Sequence, residues 1–232
     1  MRREEDYLDF RESFAKGIIN LAKKNENVIY VECDIPSPAR TWFLENLPEQ
    51  YLNTGVMEAC TASLIGGLAS EGYTVYWYTY AFLVAEAYNQ IKQSIAKNEY
   101  DVKIFGYNAG VSGLGGSSHN CVEDLALMRA LPKTTIYAPT SIDELEKLVG
   151  ETYKIGGLVY VRFPWGEHKC CCPRFSLGKD VTIVSCGALV KETAEAQELL
   201  RGLGYDVGVY NLSRVKPMEK LLIENVARHS SE

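Results

Sequence analysis

Glu58 stands where an apolar strand end and a glycine turn (Tyr51-Leu52-Asn53-Thr54-Gly55-Val56-Met57) run into a helix of small residues, Ala62, Ser63, Gly66, Gly67 and Ala69. A carboxylate at the mouth of so closely packed a helix is expected to lose part of its hydration, which disfavours the charged form and raises its pKa. Such a carboxyl suits a hydrogen bond to a ring nitrogen better than it suits water. The plainer reading is a glutamate favoured at a helix N-terminus by the macrodipole. Tyr80 closes an aromatic run (Tyr73, Tyr76, Trp77, Tyr78) at the carboxyl end of a strand, and Arg162 stands at the exit of another buried strand, where a guanidinium needs a partner. Between them a glycine-rich loop (Gly110, Gly113, Gly115, Gly116) can offer backbone amide donors.

These residues depend on a regular frame. Hydrophobic periodicity alternates between strand and helix nearly throughout. Strands are expected at 28–32, 73–80, 102–108, 134–138 and 158–163, with helices at 11–24, 57–70, 84–97, 121–130 and 142–153. Strands separated by such helices imply a parallel sheet covered by helices on both faces, an α/β fold. Ligands in such sheets bind beyond the carboxyl ends of the strands, where Asp34, Tyr80, the glycine loop and Arg162 fall. The pattern lapses at 166–178 and resumes with strands at 181–185 and 207–212 and helices at 191–203 and 218–227. This divides the chain into a first domain at 1–165, a linker at 166–178 and an incomplete second α/β domain at 179–232. Two strands leave apolar edges uncovered, so the chain reads as a fragment of something longer.

The 232 residues carry a formal charge of −6 with no basic stripe, which argues against a nucleic-acid surface. No apolar stretch is long enough to span a bilayer, the first residues lack a signal-peptide core, and a cytoplasmic protein is expected. Seven cysteines make an odd count without a CxxC pair. Cys33, Cys60, Cys121 and Cys186 read as buried thiols, and His168 with Cys170, Cys171 and Cys172 does not meet zinc spacing, so no metal site is assigned.

The ordered segments Arg11-Glu12-Ser13-Phe14, Asp34 with Ser37, Thr54-Gly55-Val56-Met57-Glu58 and Tyr78-Thr79-Tyr80-Ala81-Phe82 point further. So do Ser118-His119, Glu123-Asp124-Leu125-Ala126, Arg129-Ala130-Leu131-Pro132 and Val159-Tyr160-Val161-Arg162. Together the chain resembles the C-terminal, pyrimidine-binding section of transketolase, in the group where the enzyme is split into two polypeptides. The resemblance implies a thiamine-diphosphate-dependent enzyme that transfers a two-carbon ketol unit between sugars or sugar phosphates. It also implies an N-terminal, diphosphate-binding partner subunit, assembled as a dimer of heterodimers. No Gly-Asp-Gly…Asn-Asn motif is present, so the partner is expected to hold the Mg2+ or Ca2+ with the diphosphate.

In that resemblance Glu58 bonds the aminopyrimidine, Tyr80 and Phe82 pack against its ring, and Val56 lies near the cofactor's bend. His119 is the active-site histidine, suited to a substrate hydroxyl or developing alkoxide; its plainer reading is a loop residue capping the next helix. Arg11, Asp34, Ser37 and Arg162 fall at substrate positions, the arginines suited to an acceptor's phosphate. The chain departs from the pattern in several places. Ala59 and Cys60 follow Glu58 in place of Gln-Asn or His, Glu86 falls where an arginine is usual, and Trp165 stands for a second arginine. Gly115 stands where single-chain members carry an aspartate, and the link between the units is short. These changes suggest an altered acceptor. The alternatives are the β subunit of a 2-oxo acid dehydrogenase, a deoxyxylulose-phosphate-synthase-like enzyme, or a catalytically inert structural paralogue.

Overall fold

Asp9 opens the first helix, α1 (Phe10–Ala22), its carboxylate accepting from the backbone N–H of Arg11 at 2.8 Å and of Glu12 at 3.0 Å. Phe10, Phe14, Ile18 and Ala22 recur at the spacing of one helical face and are all buried. Gly17 lets α1 meet a later helix, α7 (Ile142–Thr152), directly: a Cβ there would lie 2.9 Å from Val149. The structure is a computed structural model and describes residues 9–111, 116–166, 175–218 and 220–229.

Strands β1 (Val28–Glu32), β2 (Tyr51–Asn53), β3 (Thr74–Tyr80), β4 (Val102–Tyr107), β5 (Thr135–Tyr137) and β6 (Val159–Phe163) pair in parallel. Together with a late strand, β10 (Arg214–Lys216), they form one sheet in the order β10-β5-β6-β4-β3-β1-β2. Side chains alternate across it. Tyr76, Tyr78, Phe105 and Phe163 join the aromatic core with Phe10 and Phe14 of α1. Val75, Trp77, Ile104 and Tyr160 join an aliphatic core with Ala62 and Ile65 of α3 (Glu58–Ser70). The remaining helices are α2 (Arg40–Asn46), α4 (Ala81–Glu86), α5 (Tyr88–Gln90), α6 (Asp124–Ala130), α7 (Ile142–Thr152), α8 (Val190–Gly202) and α9 (Lys220–His229). Chain order reverses at β1 and β3, which lead to neighbours on opposite sides, the kind of switch point beyond whose carboxyl ends α/β sheets generally bind ligands.

The structure departs from the periodicity in instructive places. The helix expected at 84–97 starts at Ala81 and breaks after Glu86, with a π-helical turn at Ile91–Ile95. This turn packs closely on α3: at Gly66 a Cβ would stand 2.5 Å from the Ser94 carbonyl oxygen. The helix expected at 121–130 begins at Asp124, because Cys121 is held in an antiparallel bridge to Gly110. Helix α2 went unforeseen, while β2 falls where a strand end was expected before Glu58; each is short, and only Phe43 of α2 is buried.

In the second unit, β9 (Val207–Asn211) is flanked by β8 (Val181–Ser185) in parallel and by β7 (Phe175–Ser176) antiparallel. The expectation of two strands with uncovered edges is corrected further by β10 (Arg214–Lys216). It leaves this unit and adds to β5 antiparallel, pairing Arg214 with Tyr137 and Lys216 with Ile136. Arg-Val-Lys has no apolar run to announce a strand; Lys216 is held there by the carbonyls of Arg129 and Leu131. Among the described residues no helix is long and apolar enough to cross a membrane.

Candidate functional site

The start of α3 is pinned to the exit of β1. Thr54 N–H donates to the Glu32 carbonyl at 3.0 Å, the hydroxyls of Thr54 and Thr61 are 2.7 Å apart, and Cys33 Sγ lies 3.4 Å from each. Gly55, at φ +75°, turns the chain and donates to Asn53 Oδ1 at 2.9 Å. Glu58 is therefore the first residue of α3 and only 9% exposed, while Val56 before it is 79% exposed. Val56 thus takes no part in the core. Glu58 Oε1 is buried without a hydrogen-bond partner among the described residues. Burial raises the carboxyl's pKa; its own backbone N–H opposes this, and Glu86 on α4 adds to it. Desolvation outweighs the pull of the helix N-terminus.

Tyr80, Phe82 and His119 come together. Tyr80 ends β3, and Phe82 stacks on it from the first turn of α4 at 5.6 Å between centroids. His119 meets Phe82 at 4.8 Å and Tyr80 edge-on at 6.4 Å. Asn108, at φ +59° just past β4, holds the segment by donating to the His119 carbonyl at 3.1 Å. The imidazole is exposed, with Nδ1 3.0 Å from Ser118 Oγ, and it does not cap α6. On the other side Tyr80 stacks on Tyr107 at 5.6 Å, and Tyr107 on Trp165 at 5.5 Å.

The substrate-side residues fall into separate clusters. Arg11 gives both Nε and Nη2 to Asp9 Oδ2 at 2.7 Å and lies over the rings of Tyr107 and Trp165. Arg162 donates Nε to Asp124 Oδ2 at 2.8 Å, and the Tyr160 hydroxyl donates to the same oxygen at 2.7 Å. Gly106 permits this, since a Cβ there would stand 2.6 Å from the Tyr160 hydroxyl. Asp34 and Ser37 join a third cluster around Glu32, which is wholly buried. Arg40 pairs with Glu32 and with Asp34 at 3.3 Å; Tyr51 and Tyr30 donate to Glu32; and Tyr30 sits 2.7 Å from Ser37 Oγ.

Sequence reasoning missed Asp9, Glu32, Arg40 and Asp124 as partners of these residues. A carboxylate two positions before Arg11 was the one legible signal. Of the cysteines, Cys33 and Cys121 are buried and burial pushes both thiols up, Cys121 to about 12. Cys186 is half-buried, and Cys60, on the outward face of α3, is exposed rather than buried as expected. His168, Cys170, Cys171 and Cys172, with Gly113 and Gly115, lie outside the described residues.

Residues 6–168 match the family model for the transketolase pyrimidine binding domain, and residues 174–232 that for the transketolase C-terminal domain. The protein named for a transketolase C-terminal section in Methanocaldococcus jannaschii is 29% identical over 94% of this chain and 74% of its own length. The 1-deoxy-D-xylulose-5-phosphate synthase of Caldanaerobacter subterraneus is 27% identical over 94% of this chain, which spans only 37% of that enzyme. A split-gene transketolase solved as an inactive β4 tetramer superposes with a TM-score of 0.85 at 28% identity, covering 95% of this chain and 76% of that one. Campylobacter jejuni transketolase shares the fold at a TM-score of 0.81 and 17% identity, over 95% of this chain and 38% of its own.

Proposed function

The chain belongs to the transketolase family, whose members depend on thiamine diphosphate, and on that premise we propose that it is the pyrimidine-binding subunit of a two-carbon transferase completed by a second polypeptide. The reaction breaks the C2–C3 bond of a ketose, releases the remainder as an aldehyde, and joins the same two carbons to the aldehyde carbon of an acceptor. A hydroxyl proton given up on the donor side returns on the acceptor's new hydroxyl, so the exchange is redox-neutral. When bound, thiamine diphosphate supplies the carbon that carries the two-carbon unit.

The observation that carries the reading is Glu58. Its buried, unpartnered Oε1 and raised pKa fit a ring nitrogen with which the carboxyl shares a proton. Tyr80 and Phe82 offer faces for the flat ring, a contact that contributes about 0.5–1.5 kcal/mol beyond burial. The exposed imidazole of His119, braced by Ser118, supports a role for it in passing the hydroxyl proton. Val56, Met57, Val111 and Val122 leave apolar surface exposed around these groups, which supports a partner's seat there. That partner would hold the diphosphate and its divalent cation, since this chain carries no motif for them.

The test is co-expression with the candidate N-terminal subunit and calorimetric titration with thiamine diphosphate and Mg2+. Binding in the pair that is lost in Glu58→Gln supports the assignment; equal binding by the variant overturns it. Supplying pyruvate as donor separates the synthase alternative, because a deoxyxylulose-phosphate synthase releases CO2 from it.

A further inference from the structure

The arginines at the carboxyl rim of the sheet are already matched by carboxylates of this same chain. Arg11 spends Nε and Nη2 on Asp9, Arg162 spends Nε on Asp124, and Arg40 is divided between Glu32 and Asp34. Asp124 is 1% exposed, Glu32 wholly buried, and Ser37 Oγ is bonded to Tyr30. A phosphate dianion entering this rim would meet guanidiniums already paired with carboxylates and would face those carboxylates at close range. Freeing Arg162 or Arg40 would leave Asp124 or Glu32, both buried, without its cation, which is strongly unfavourable; Asp9, partly exposed, would still stand beside Arg11.

What the rim offers in place of charge is aromatic surface. Centroids from His119 through Phe82, Tyr80 and Tyr107 to Trp165 follow one another at 4.8–5.6 Å. Trp165 ends this run and is 39% exposed, with Tyr107 and Arg11 packed against its ring. With Arg162 and Leu189 it also lines a cavity of about 580 Å3 among the described residues, mostly apolar and ample for a small sugar. The C–H face of an uncharged sugar packs against such a ring, and its hydroxyls meet polar groups at the edge.

We infer that the acceptor is an uncharged polyhydroxy aldehyde rather than a sugar phosphate, seated against Trp165. This rests on the two-carbon-transfer reading. Asp9 and Asp124 then set specificity by cancelling the arginines that would otherwise attract a phosphate, and Trp165 supplies the contact that replaces it.

The experiment uses the complete two-subunit enzyme with hydroxypyruvate as donor, and follows the donor half by ferricyanide reduction. The transfer half is measured with an aldopentose and with its 5-phosphate ester. The free aldose should exceed the ester in kcat/KM by about tenfold or more, a discrimination of about 1.4 kcal/mol. Trp165→Ala should raise KM for the free aldose by about tenfold while kcat changes less. Asp9→Asn, which keeps a capping side chain and removes the charge, should shift the ratio toward the ester. Ferricyanide reduction with a preference for the ester overturns this inference alone, as does a ratio unmoved by either substitution. No ferricyanide reduction at all removes the two-carbon reading and this inference with it.

Discussion

Replacing Glu58 by methionine should stabilise the isolated chain while abolishing its function. The buried Oε1 has no donor among the described residues, and an unsatisfied buried polar group costs about 1–3 kcal/mol. Methionine has comparable helix propensity and length. It gives up the carboxylate's attraction to the start of α3, about 0.3–1 kcal/mol. The net expectation is a gain of about 1–2 kcal/mol at neutral pH, which for a chain of this size raises Tm by about 2–8 °C. The pH dependence gives a sharper test. Burial raises the Glu58 pKa above the ordinary carboxylate value of 4.5, so the folded chain holds the proton more tightly than the unfolded one. Its contribution to stability is therefore fully present below the unfolded pKa and is lost as pH rises through the folded pKa. The difference between variant and wild type should be small near pH 4 and grow as pH rises through the raised pKa of the folded chain. Urea denaturation of both proteins across that range measures it, and the other titrating groups cancel in the difference. A variant less stable than wild type at neutral pH, or a difference independent of pH, would refute the reasoning and make Glu58 a structural residue.

Asp124→Ala should cost about 3–5 kcal/mol, because it strands Arg162 and removes the acceptor of the Tyr160 hydroxyl; urea titration of the isolated chain reads this directly. Gly66→Ala should destabilise by about 1–3 kcal/mol through its clash with the Ser94 carbonyl. At its neighbour Gly67 an added Cβ would meet nothing within 4 Å, so the same change there should gain about 0.5–1 kcal/mol. Thermal melts of the two variants in parallel check the pair. His119→Ala should lower kcat for transfer by about 10²–10⁴-fold while thiamine diphosphate affinity falls little; equal loss of both would displace His119 from the proton-transfer role.

Much of the frame was legible along the chain. Strands β1, β3, β4 and β6 are rich in apolar and aromatic residues because both their faces are covered, and α1 and α7 show their buried faces as a helical repeat. These elements bury enough apolar surface to leave a pattern. Others owe their form to what they touch. Strand β10 reads as two charges around a valine and exists because β5 offers it an edge. The π-helical turn at 91–95 packs on Gly66 of α3, a contact that no local propensity announces.

The same division runs through the site. A glutamate after a glycine turn, at the head of a small-residue helix, is a local fact, as are the strand-end positions of Tyr80 and Arg162. These pointed to the fold class and the family, and to the site proposed for the chemistry. That Glu58 keeps an oxygen without a partner, that Asp124 reaches Arg162 across 38 positions, and that Trp165 joins Tyr107 to cover Arg11 were decided only by the tertiary structure. The physical reason is that residue type and spacing declare which side chains can carry charge or bury surface. Which charges remain uncompensated depends on the partners that folding brings within hydrogen-bond distance.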